Sequence, residues 1–122
     1  MNIPKQYNQL MPYLVVEAAW EFLVFAKKVF GAVEQLIVPR QDGTIMHGEL
    51  RIGEAVIMFA DTNENAMSTT SGFCIIVEDV EAVYHNAIAH GAVSIQLPEE
   101  KEYGKAAGFQ DKFGNNGGLW RQ

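Results

Sequence analysis

The triplet Gly-Ala-Val occurs at residues 31–33 and again at 91–93, and each copy sits in the same order of local patterns. Ahead of the first, Tyr13-Leu14-Val15-Val16-Glu17 reads as an apolar strand that runs into a helical stretch. Ahead of the second, Phe73-Cys74-Ile75-Ile76-Val77-Glu78 does the same. Two copies of one supersecondary unit must bury their apolar faces in the same way, so the repeat limits the possible folds more than any composition figure.

Within the first copy Leu14–Val16 is the strand, and Ala19, Phe22, Leu23, Ala26, Val29 and Phe30 recur at helical spacing. Gly31 stands where a helix C-terminal glycine belongs. Trp20, Val24 and Phe25 add a second apolar helix face, which points to a partner surface and a homodimer. Strands follow at 34–38, 44–52 and 55–60, joined by the turns Gln41-Asp42-Gly43 and Gly53-Glu54. The segment 61–71 is polar and reads as a linker. In the second copy Asp79 is the N-cap of a helix whose buried stripe is Val80, Val83, Ala87 and Ile88, ended by Gly91. Strands are expected at 93–97 and 106–111, separated by a longer loop around Pro98–Tyr103, with a turn at Phe113-Gly114-Asn115. Gly117 and Gly118 should weaken the last strand, which ends near Trp120. The expected fold class is α+β: two βαβββ modules, about 11–60 and 72–121, within one domain spanning 1–122 and forming a curved, concave mixed sheet with helices on its other face.

Charge excludes one class of partner. Lys and Arg number 9 against 15 Asp and Glu, a formal charge of −6, and the longest basic run is Lys27-Lys28, so no nucleic acid is expected. A single cysteine rules out an internal disulfide and a multi-thiolate zinc site. No apolar run approaches the ~18 residues of a membrane span, and the N-terminus lacks a signal-peptide core, so a cytoplasmic chain without a membrane partner is expected.

The Gly53-Glu54 turn sets a register. A two-residue turn pairs Ile52 with Ala55, Arg51 with Val56, Leu50 with Ile57 and Glu49 with Met58. Alternation then puts Met46, Leu50, Ile52, Ile57 and Phe59 on one face, which should lie under a helix. His47, Glu49, Arg51, Val56 and Met58 fall on the other, a mixture of polar and apolar groups such as ligand sites use.

Several segments resemble the glyoxalase/bleomycin resistance/extradiol dioxygenase superfamily (the vicinal oxygen chelate group), above all its PhnB-like branch. They are residues 12–17, Lys27-Lys28-Val29-Phe30-Gly31-Ala32, the run 42–53 from Asp42-Gly43-Thr44 to Arg51-Ile52-Gly53, Val77-Glu78-Asp79-Val80, Tyr103-Gly104, and Asp111-Lys112-Phe113-Gly114-Asn115. Together they span nearly the whole chain in family order. The resemblance implies paired βαβββ modules, homodimers, and in the metal enzymes one His, Glu or Gln ligand on the first and last strand of each module. Those positions fall here at about Met11, Met58, Gly72 and Gly118. Thioether sulfur is a poor ligand for Zn, Fe(II), Ni or Mn, and glycine has no donor, so neither metal nor cofactor is expected and Lewis-acid chemistry goes with it. His47 and Glu49 alone would make a weak metal site.

The candidate ligand-binding residues are therefore Tyr13, His47, Glu49, Arg51, Met58, Cys74 and Tyr103, with His47, Glu49 and Tyr103 the candidate acid/base groups. Arg51 would hold an anionic group. Tyr13 and Cys74 share strand parity with the vacated ligand positions; Cys74 has no nearby base and reads as a buried structural thiol, and Tyr13 reads more as filler than as a hydrogen-bonding group. Tyr103 enters from its expected loop and from the family's Tyr-Gly motif. The leading expectation is a metal-free protein binding a small organic ligand in the concave sheet. The alternative is an enzyme of the same superfamily, of lyase, isomerase or dioxygenase type, working by acid/base chemistry.

Overall fold

The computed structural model describes residues 1–64 and 67–122, which form two compact units, Met1–Thr70 and Ser71–Gln122. The first runs β1 (Tyr13–Val16), α1 (Ala19–Phe30), β2 (Val33–Pro39), β3 (Ile45–Ile52) and β4 (Ala55–Asp61). The second runs β5 (Gly72–Ile76), α2 (Val80–Ala89), β6 (Val93–Lys101), β7 (Gly104–Gln110) and β8 (Asn116–Arg121). The strand orders are β1-β4-β3-β2 and β5-β8-β7-β6, with the first and last strand of each module parallel and the other pairs antiparallel. The repeat in the sequence is thus a repeat of topology: two βαβββ modules, each with its own four-stranded mixed sheet. The linker expected at 61–71 contains Asn65 and Ala66, which lie outside the described residues, and its first residue, Asp61, closes β4.

Both helices start and stop for identifiable reasons. Gly31 ends α1 in the left-handed region at φ 68°, where glycine carries no Cβ penalty. Asp79 caps α2, its side chain accepting from the Ala82 amide at 3.0 Å. The start of α1 has no such local cap. Ala18 takes a left-handed conformation there, φ 62°, and the Ala19 amide donates instead to Asp61 Oδ1 at the end of β4. Phe25, expected on an outer face, is buried and packs edge-on against Phe30, while Trp20 and Val24 remain about half exposed. In α2 the buried positions are Val80, Tyr84 and Ala87; Tyr84 takes the place expected of Val83 and Ile88, which are only half-buried.

The hairpin register is as its turn requires, with Ile52 opposite Ala55 and Glu49 opposite Met58. Leu50, Ile57 and Phe59 are buried, and Phe59 meets Phe22 of α1 edge-to-face at 5.5 Å. Ile52, beside the turn, is only half-buried, and Met46 departs furthest from the expected apolar face. It is half exposed and Ile45 is buried in its stead, because pairing with β2 slips between Val38 and Pro39.

The second module departs from expectation at two places. No long loop surrounds Pro98, because β6 runs on through it to Lys101 and leaves only Glu102 and Tyr103 as the connection. β6 is an edge strand with register shifts on either side of Gln96, the setting in which a strand tolerates proline. Nor is β8 weakened by its glycines, being paired along its length on both sides. A Cβ at Gly117 would lie 2.5 Å from Phe109 Cζ, and one at Gly48 would lie 2.5 Å from Phe59 Cζ. Each glycine is the floor on which an aromatic ring of the neighbouring strand rests. Gly48→Ala and Gly117→Ala are each expected to cost about 1–3 kcal/mol through overpacking. Gly118→Ala, whose Cβ would meet nothing closer than 3.5 Å, should cost far less, a difference that urea unfolding of the three variants measures.

Candidate functional site

His47 and Glu49 are two apart on β3 and so share a face, as do Arg51 and, across the β3–β4 ladder, Met58. Met58 also pairs with Tyr13 on β1. Tyr13, His47, Glu49, Arg51 and Met58 are thus brought together on one sheet by strand pairing. Glu49 is buried, about 1% exposed, and this decides what the cluster is. Its Oε2 accepts from the Tyr7 hydroxyl at 2.6 Å and lies 2.8 Å from His47 Nε2; its Oε1 accepts from Gln35 Nε2 at 2.9 Å. On its far side the His47 ring presents Nδ1 to the Tyr13 hydroxyl at 3.3 Å. Arg51 donates from Nη1 to Gln35 Oε1 at 3.3 Å and to the Gln6 carbonyl at 3.2 Å.

A buried carboxylate needs such company. Burial pushes Glu49 up, but the hydrogen bonds from Tyr7, Gln35 and His47 outweigh it, with the charge of His47 adding to them when that ring is protonated, and hold the group below its usual 4.5. The same bond acts in reverse on its partner: donation to Glu49, followed by burial and the carboxylate's charge, raises Tyr7 above its usual 10.0.

Two of these residues carry no signal in the sequence pattern. Tyr7 comes from the segment before β1, where no periodicity marks a contact; its only signal is an aromatic residue in a polar stretch. Gln35 lies in the register shift between Glu34 and Leu36, and an irregularity of that kind re-aims a side chain off its nominal face.

Cys74 and Tyr103 belong to the second module. Cys74 is exposed rather than the buried thiol expected, since its place on β5 opposite Gly118 leaves little side chain to cover it. Tyr103 stands exposed at the tip of the short β6–β7 connection, not in a long loop, and its carbonyl accepts from Trp120 Nε1 at 3.1 Å.

No family model matches the chain. The Uncharacterized protein Mb0911c of Mycobacterium bovis is 32% identical over 122 residues, covering 90% of this chain and 80% of that protein. A glyoxalase/bleomycin resistance protein from Streptomyces sp. CB03234 superposes with a TM-score of 0.68 at 18% identity, covering 90% of this chain and 96% of that one. A PhnB protein from Bacillus cereus does so at 0.73 and 20% identity, covering 94% and 100%. This chain belongs to one family with Mb0911c, and its fold is that of the glyoxalase/bleomycin resistance proteins.

The metal of the superfamily that the sequence resembles does not fit the residues present here. The positions that the resemblance implies, about Met11, Met58, Gly72 and Gly118, carry two thioethers and two glycines, and Met11 lies ahead of β1. Among the described residues no three His, Cys, Asp or Glu side chains come together as a metal site would need. Among the same residues no helix is long and apolar enough to cross a membrane. What this protein builds around β3 is a hydrogen-bonded row, Tyr7–Glu49–His47–Tyr13, in which Glu49 is buried and saturated and Tyr13 is about half exposed.

Proposed function

We propose that this protein is a metal-free, small-molecule-binding member of the superfamily's PhnB-like branch, cytoplasmic and homodimeric, whose ligand meets the Tyr13–His47 end of the first module's sheet. The observation that carries the reading is the burial of Glu49 among three hydrogen-bonding partners. An ionised carboxylate so placed is a fixture that sets the orientation of the imidazole beside it, and an oriented imidazole is more than a surface histidine. Met58 supplies apolar surface beside it, and Arg51 is the cation of the same face. Tyr103 and Cys74, both exposed, are proposed as ligand-binding residues of the second module taken by itself. The exposed Trp20 and Val24 support the dimer.

A second reading, an acid/base enzyme, draws on the same geometry. A carboxylate, an imidazole and a phenol in hydrogen-bonded sequence can pass a proton along, with His47 as the base and Tyr13 as the group at the substrate.

A thermal-shift screen of small organic molecules tests the binding reading, since a ligand that binds only the native state raises its melting temperature. The stabilisation by the best compound should vanish in His47→Ala; if it survives intact, the ligand lies elsewhere. One tightly held divalent ion per chain by elemental analysis would overturn the metal-free reading.

A further inference from the structure

Resting on the reading of this face as a ligand site, we infer that Tyr13 offers its ligand an oxygen lone pair, so that the site takes a molecule bearing an N–H or O–H donor (an alcohol, an amide or a protonated amine) rather than a carboxylate or phosphate.

The polarity of the row is set from its buried end. An ionised carboxylate accepts hydrogen bonds and cannot donate them. His47 Nε2, 2.8 Å from Glu49 Oε2, must therefore carry a proton. In the neutral form of the ring, to which this polarity belongs, there is only that one proton, which leaves Nδ1 as a bare lone pair. Nδ1 faces the Tyr13 hydroxyl at 3.3 Å, so the phenol proton points inward to it. A hydroxyl has one proton and two lone pairs, and with the proton engaged Tyr13 has only lone pairs left for a molecule arriving from solvent. Tyr13 is 47% exposed and open to that approach.

The surroundings do not reverse this. Arg51, the face's cation, has its Nη1 committed to the Gln6 carbonyl and to Gln35 Oε1. The chain as a whole carries −6. An incoming anion would set its oxygens against those of Tyr13, whereas an ammonium or amide would complete the row.

The test is an NMR titration of the full chain, near physiological salt, with benzylammonium and benzoate, two probes of one shape and opposite polarity. Benzylammonium should move the Tyr13 and His47 signals with about tenfold lower Kd than benzoate, the worth of one charge-assisted hydrogen bond. Tyr13→Phe should abolish that difference. A preference unchanged in Tyr13→Phe, or benzoate binding at these residues as well as benzylammonium, overturns the donor inference and leaves the ligand site standing. Absence of any shift at Tyr13 and His47 with either probe removes the site itself. The imidazole nitrogen signals give an independent check: a proton on Nδ1 rather than Nε2 of the neutral His47 ring would refute the polarity directly.

Discussion

Asp61→Ala should lower the unfolding free energy by about 2–6 kcal/mol, read from a urea transition whose midpoint falls while its slope holds. The residue is buried at the end of β4, and its two oxygens serve two different elements. Oδ1 accepts from the Ala19 amide at 2.9 Å and Oδ2 from the Ile45 amide at 2.7 Å. The first bond closes the otherwise uncapped start of α1, where a negative charge also meets the positive end of the helix. The second fixes the start of β3, the strand that carries His47 and Glu49. Alanine would leave two buried amides without acceptors, each at about 1–3 kcal/mol. Asp61→Asn keeps one acceptor oxygen and should fall between alanine and wild type. A loss below about 1 kcal/mol for alanine would mean that water takes the place of the carboxylate in both bonds.

Asp61 also marks where sequence reasoning reaches its limit. The helices, Gly31, the Asp79 cap and the β3–β4 register all follow from residues within a few positions of one another, and periodicity or turn chemistry reads such features directly. The cap of α1 comes from 42 residues away, and so does the hydroxyl that holds Glu49. Nothing local distinguishes Asp61 from the polar residues that follow it, and it reads as linker until the parallel pairing of β1 with β4 brings it to the helix. Strand parity placed Tyr13, His47, Glu49, Arg51 and Met58 on one sheet, but it could not show that Glu49 is buried. That burial depends on Tyr7, from a segment without pattern, and on Gln35, turned by an irregularity in β2. Pro98 and Gly117 misled for a related reason. Proline breaks a central strand and glycine weakens one, yet β6 is an edge and the space over Gly117 is filled by Phe109.

Glu49→Ala is the substitution expected to alter both stability and the site. Three donors lose their acceptor at once, and the expected loss is about 2–4 kcal/mol, less than three full desolvation penalties because Tyr7 and His47 can reach water. With no carboxylate to hold Nε2, the His47 ring is free to turn, and the thermal shift given by a ligand of this face should drop with it. Glu49→Gln separates the two effects. It preserves volume and one acceptor oxygen, but brings an N–H₂ toward groups that are themselves donors, so the ring's tautomer becomes unfixed while the core stays filled. The sign of the pH dependence follows from the shifts. The folded-state value of Glu49 lies below its usual 4.5, so its contribution is fully present above about 4.5 and disappears as pH falls through the folded value. Tyr7 is raised above 10.0, so its share is present below 10.0 and is lost as pH rises through the folded value. The stability gap between wild type and Glu49→Gln should therefore narrow as pH falls below about 4.5. In Glu49→Gln the Tyr7 phenol, relieved of its bond to a carboxylate, should ionise at lower pH than in wild type, which ultraviolet absorbance of the phenolate reads directly. Were Tyr7 to ionise unchanged in Glu49→Gln, the Tyr7–Glu49 bond would not exist in solution, and the row that orients His47 would lose its buried anchor.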